Sequence, residues 1–181
     1  MPYNSLRGKS DKILELKNRK DIFEIVEKNA GCHFREIERK SKIPHGTLKY
    51  HLGFLSRHEL IKEIKDGNNI RYYPREFNVD DMKLLGLLRQ ESIRKIFLIL
   101  LSEKKCSHGE IVDFTKLSPS TVSWHMNHLV KEKIVEKNNS GKNVDYKLSG
   151  NEKEIMKLII YYKDSFLDSL VNKVVEMWDV N

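Results

Sequence analysis

The sequence predicts an α+β chain, mainly α with small β-hairpins, built as two tandem domains followed by a long C-terminal helix. Three observations predict it. The chain aligns on itself without a gap when shifted by 74 positions (Thr121 minus Thr47), carrying about Ile13–Tyr73 onto Leu87–Lys147. Each copy changes from helical to strand periodicity in the same place. A long apolar stripe then follows the second copy. Identical residues mark the repeat: Ile22, Phe23, Cys32, Glu36, Ile37, Thr47, His51, Leu55, Gly67 and Tyr72 recur as Ile96, Phe97, Cys106, Glu110, Ile111, Thr121, His125, Leu129, Gly141 and Tyr146. This period is longer than a solenoid unit and has the size of a small domain, so it reads as a duplication.

In each copy Asn18 or Ser92 is the expected cap of a first helix. Ile22, Phe23, Ile25 and Val26, or Ile96, Phe97, Ile99 and Leu100, follow at helical spacing. The helix is expected to stop near Asn29-Ala30-Gly31 and near Ser102–Lys105. Cys32 and Cys106 come next. A second short helix over about Arg35–Lys40 or Gly109–Phe114 turns Ile37 or Ile111 inward. After a break at Pro44 or Ser118-Pro119, a third helix carries Leu48, Leu52 and Leu55, or Val122, Met126 and Leu129, as one stripe at i, i+4, i+7. Two β-rich runs around Lys65-Asp66-Gly67-Asn68-Asn69, or around Asn138–Asn143, then form a hairpin. Helix, helix, turn, helix, hairpin is the winged helix-turn-helix order.

Asn78 is positioned to cap a connecting helix with Asp80 and Asp81 in its first turn and Met82, Leu85 and Leu88 on its apolar side. After Gly150 one long helix reaches about Trp178. Its stripe of Ile155, Ile159, Tyr162, Phe166, Leu167, Val171, Val174 and Trp178 either covers the second domain or pairs with another chain as a homodimer. The expected division is a basic arm at 1–17, a first winged helix at 18–76, a connecting helix at 77–91, a second winged helix at 92–149 and an amphipathic helix at 150–181.

Composition narrows the partner. Among 181 residues, 33 Lys and Arg face 26 Asp and Glu, a formal charge of +7 that suits a polyanion. The first twenty residues are more skewed still, with Arg7, Lys9, Lys12, Lys17, Arg19 and Lys20 against Asp11 and Glu15. No apolar run approaches the ~20 residues of a membrane span, so no membrane partner is expected. Met1-Pro2-Tyr3-Asn4 lacks a signal-peptide core. The two cysteines sit a domain apart without disulfide or CxxC spacing, and a reducing cytoplasm is the expected setting. No phosphate loop, paired carboxylates or nucleophile elbow is present; the chain reads as no enzyme, with no cofactor.

The third helices read Thr47-Leu48-Lys49-Tyr50-His51-Leu52-Gly53-Phe54-Leu55 and Thr121-Val122-Ser123-Trp124-His125-Met126-Asn127-His128-Leu129. These resemble the recognition helix of ArsR- and MarR-type winged-helix transcription regulators: Ser/Thr, aliphatic, Ser, any, His, Leu, any, any, Leu. Lys49 departs from the second Ser and Met126 from the Leu. The two-copy arrangement with a terminal helix also resembles a class of archaeal regulators. The resemblance implies sequence-specific binding of double-stranded DNA.

If the stripe packs inward, the opposite face offers His45, Gly46, Thr47, Lys49, Tyr50 and Gly53 in the first copy. In the second it offers Ser118, Ser120, Thr121, Ser123, Trp124 and Asn127. Thr, Ser and Asn suit base edges or phosphates, Lys49 suits guanine or phosphate, and small residues at Gly46 and Ser120 admit a phosphate to the helix N-terminus. The wings add Lys65, Asn68, Asn69 and Arg71, with Lys142 and Asn143, for phosphate or minor-groove contact. Tyr50 and Trp124 suit either stacking or packing. His51 and His125, next to the stripe, are expected to be structural and hydrogen-bonded. Cys106, His108, His125 and His128 invite a metal reading, but a buried thiol is the ordinary outcome at Cys106 and no metal is expected. Two other functions fit a tandem winged helix: a scaffold that binds proteins, and a subunit of the basal transcription machinery. The operator, the effector and the direction of regulation are not written in the chain.

Overall fold

The computed structural model describes residues 13–140, 143–150 and 152–166. They divide into two units, one ending at Gly86 and one beginning at Leu87. The first unit runs α1 (Lys17–Lys28), β1 (Cys32–His33), α2 (Phe34–Ser41), α3 (His45–Arg57), β2 (Ile61–Asp66), β3 (Asn69–Pro74) and α4 (Val79–Leu88), whose last two residues pass the division. The second runs α5 (Glu91–Glu103), β4 (Cys106–Ser107), α6 (His108–Thr115), α7 (Pro119–Lys131), β5 (Val135–Ser140), β6 (Asn143–Leu148) and α8 (Glu152–Phe166).

Both units have the same sheet. Strand order is β1-β3-β2 in one and β4-β6-β5 in the other, antiparallel throughout. Cys32 stands opposite Tyr72 and Cys106 opposite Tyr146, so register repeats together with sequence. Gly67 takes φ +59° at the first hairpin tip, the left-handed position that a two-residue hairpin turn needs. In the first unit Ile22, Val26, Cys32, Ile37, Leu48, Leu52, Leu55, Leu60, Ile61 and Tyr72 form one core. Three helices and a hairpin are thereby fixed around the third helix.

The first helices begin earlier than expected. Leu16 and Gln90, in extended conformation, precede α1 and α5, and neither makes a side-chain cap. Asn18 and Ser92 therefore lie in the first turn instead of capping it, because Lys17 and Glu91 already have helical geometry. The expected cap at Asn78 does form: its Oδ1 accepts from the Asp81 N–H at 2.7 Å. Leu84 and Leu87 are buried beside Met82, Leu85 and Leu88, so α4 buries more than a single stripe.

Ile155, Ile159, Tyr162 and Phe166 of α8 are buried, with Met156 alongside them. Glu152 pairs with Lys104 at 2.8 Å, and the guanidinium of Arg94 lies 4.9 Å from the centre of the Phe166 ring. The described part of the stripe is thus covered. Leu167, Val171, Val174 and Trp178 lie outside the described residues, as do Gly141, Lys142 and the arm through Lys12. No helix among the described residues is long and apolar enough to cross a membrane.

Candidate nucleic-acid interface

The third helices present two faces. Leu48, Leu52 and Leu55 of α3 are at most 1% exposed, and Val122, Met126 and Leu129 of α7 are fully buried. On the opposite face His45, Gly46, Thr47, Lys49 and Tyr50 are exposed, as are Ser118, Ser120, Trp124 and Asn127; Gly53, Thr121 and Ser123 are half-buried. Tyr50 is 57% and Trp124 64% exposed, so each ring points outward instead of joining the core. An amphipathic helix held only by its inner stripe has the form that enters a major groove.

The helix starts differ. Pro44 precedes α3 without a side-chain cap, which leaves the first-turn N–H groups to other partners. Ser118 caps α7, its Oγ accepting from the Thr121 N–H at 3.2 Å and lying within 3.0 Å of both the Ser120 and Thr121 hydroxyl oxygens. His45 approaches Glu38 Oε1 at 3.2 Å.

Two of the expected contact residues are held inside the fold. The Arg71 side chain is only 14% exposed. Its Nε donates to Asp66 Oδ2 at 2.5 Å and its Nη1 to the Gly31 carbonyl at 2.9 Å. It ties the wing to the end of the first helix rather than projecting as a free cation. Ser123 Oγ sits 2.9 Å from His108 Nε2, which binds it to the start of α6. Lys65, Asn68 and Asn69 are exposed on the first wing. Asn143 opens β6, opposite Ser140.

Some residues of this face escaped the sequence reading. Ser56, Arg57 and Glu63 join Lys49, Tyr50 and Gly53 around an open notch of about 390 Å³ between α3 and β2. The spacing of Lys49, Gly53 and Arg57, four residues apart, would have found Arg57. Nothing local points to Glu63, which reaches the notch through the hairpin.

The buried histidines are structural but not hydrogen-bonded as expected. Nδ1 of His51 and of His125 has no partner among the described residues. Their rings instead meet Tyr50 and Trp124 edge-on, at 5.3 and 4.9 Å. Burial lowers both pKa values, with Arg19 adding to the effect at His51 and His128 at His125. Burial pushes the Cys106 thiol up to about 11, followed by the charges of Glu110 and Glu103. Among the described residues no three His, Cys, Asp or Glu are grouped to hold a metal.

With this geometry in view, comparison with known proteins places both halves. The model of a family described as an N-terminal helix-turn-helix domain matches residues 16–85. That of a second family, described as winged helix-turn-helix DNA-binding, matches residues 89–136. The chain is a tandem winged helix-turn-helix protein. It is 33% identical over 137 residues to an uncharacterized HTH-type transcriptional regulator of Methanocaldococcus jannaschii, an alignment covering 75% of this chain and 34% of that one. This tandem winged helix-turn-helix chain therefore spans about a third of that relative's length. The structure of wild-type Lactococcus lactis ZitR in complex with DNA is a looser likeness, 12% identical with a TM-score of 0.36, covering 75% of this chain and 83% of that one.

Proposed function

We propose that the chain is a sequence-specific, double-stranded-DNA-binding transcription regulator without catalytic activity, with α3 and α7 as its recognition helices and the two hairpins as its wings. One observation carries the reading. In both units the third helix buries its whole apolar stripe and leaves its polar face uncovered within the unit. The contact set proposed for the first unit is His45, Gly46, Thr47, Lys49 and Tyr50, with Lys65, Asn68 and Asn69 on the wing. For the second it is Ser118, Ser120, Thr121, Trp124 and Asn127, with Lys142 and Asn143. Arg71 and Ser123 would act indirectly, by holding wing and helix in place. A net charge of +7 and the relative named as a transcriptional regulator support the same conclusion.

Anisotropy titration of the full chain against genomic duplex fragments tests it. Submicromolar affinity is expected, falling with salt at a log–log slope of about −7 if about 8 phosphates are neutralised. Salt-insensitive or undetectable duplex binding would refute the reading. Pairing of two chains through the C-terminal segment 150–181 belongs to the same proposal. Since the stripe from Ile155 to Phe166 is buried, that contact would rest on residues 167–178. An unchanged solution mass after deleting 167–181 rules it out.

A further inference from the structure

Aligned through the repeat, the outward positions of the two third helices carry unlike chemistry. Lys49 stands where the second copy has Ser123, Gly53 where it has Asn127, and Glu63 where it has Lys137. Ser123 is held by His108; the equivalent of His108 is Phe34, which has no hydrogen bond to give and lies against His45 with ring centres 4.6 Å apart. Lys49 is exposed, and it shares its notch with Glu63 and Arg57. Gly53 leaves the notch open: a Cβ there would meet nothing within 4 Å. In the second unit Asn127 is exposed at the corresponding turn and no acid faces it from position 137.

A carboxylate in a DNA-facing notch repels phosphate, and the Lys49 and Arg57 cations that line the same notch offset that repulsion. The carboxylate is tolerated if a hydrogen-bond donor meets it. In the major groove the amino group of cytosine is such a donor, and guanine of the same pair offers two acceptors that suit an ammonium group. Lys49 and Glu63 thus match both edges of a G·C pair. They mismatch A·T, where the adenine amino group would face Lys49 and the thymine oxygen Glu63. The Asn127 amide combines a donor and an acceptor, the pattern that pairs with adenine N6 and N7.

Building on the DNA-binding reading above, we propose that the two heads read different base pairs, α3 with Glu63 selecting G·C and α7 through Asn127 selecting A·T. One chain then recognises two unlike half-sites instead of a repeated one. Selection of duplexes from a random pool by the full chain tests this, using the wild type and the surface variants Lys49→Ser, Glu63→Gln and Asn127→Ala. The wild type should enrich a site with two different halves, one holding a G·C pair preferred by about 10-fold, the scale of one good side-chain–base match. Lys49→Ser and Glu63→Gln should each erase that preference and spare the other half. Asn127→Ala should erase an A·T preference in the other half alone. Two copies of one sequence, or variants that alter both halves or neither, would overturn the proposal. Salt-sensitive binding with no enriched sequence would also overturn it while leaving DNA binding intact; no duplex binding at all would remove both.

Discussion

The two copies place the same backbone under different surface chemistry, and the differences follow a rule. Where a residue sets the fold, the copies agree in kind: Leu48 and Val122 are buried at one helix position, Cys32 and Cys106 at one strand position, and Lys42 and Lys116 both take left-handed φ near +57°. Where a residue only ties segments together, the tie persists and its chemistry changes. Arg71 reaches the Gly31 carbonyl, whereas its counterpart Asp145 pairs with Lys105, the counterpart of Gly31, at 2.8 Å. Where a residue faces outward on the third helix, even charge is not kept. Such a gradient is expected if packing constrains both copies equally and ligands do not.

The largest test of this gradient is in the core. Leu48→Ala and Val122→Ala each hollow a fully buried site. Losses of about 3 and about 2 kcal/mol are expected, in proportion to the carbons removed and the cavity left. Denaturant unfolding of the full chain, followed through both transitions if they separate, measures them. A larger loss at Val122 would mean that the second core tolerates less relaxation than the first, and the equivalence of the two cores would fail.

The ties come next. Arg71→Ala removes a largely buried guanidinium with two bonds and should cost about 1–2 kcal/mol, as for a charged group whose partners are left unpaired. Lys105→Ala breaks a pair whose lysine is 58% exposed and should cost less than about 1 kcal/mol. Equal losses would show that the two ties carry the same weight despite their different burial.

Caps make a smaller contrast. Ser107 and Glu110 form a reciprocal capping box at α6, which holds the Glu110 carboxyl below its usual range through the Ser107 backbone bond first and the hydroxyl bond second. At the matching place His33 Nδ1 accepts a bond from the Glu36 N–H at 3.3 Å, the same length as the Glu110 N–H bond to Ser107 Oγ. The box at Ser107 is completed by return bonds from the Ser107 N–H and hydroxyl to the Glu110 carboxylate. Ser107→Ala should lower stability by about 1 kcal/mol and His33→Ala by about half that. Thermal unfolding resolves the two.

The same gradient governs how much was legible beforehand. The element order was readable because apolar spacing changes from 3–4 to 2 within each copy, and burial enforces that period wherever a face meets the core. The contact residues were only partly readable. Arg71 and Ser123 look like free donors in the sequence, but their partners are the Gly31 carbonyl, 40 residues away, and His108, 15 away. Residue type gives donor capacity, and only the fold decides where it is used. Asn18 and Ser92 were misplaced for a related reason: a helix can start on Lys17 or Glu91 without a cap when its interior is as deeply packed as Ile22 or Ile96.

The smallest contrast should be none at all. His51 and His125 are buried at equivalent positions, each with Nδ1 lacking a partner among the described residues, and burial is the leading cause of the lowered pKa in both. The folded state therefore binds the proton less readily than the unfolded chain, whose histidines titrate near about 6.5. Each histidine contributes stability that is complete above that pH and is lost as pH falls through the depressed folded value, because the unfolded state then holds more protons. His51→Gln and His125→Gln should each flatten the decline in stability as pH falls below about 6.5. A decline that only one substitution flattens would place the two histidines in different surroundings, and the agreement of the copies would then stop short of their buried polar groups.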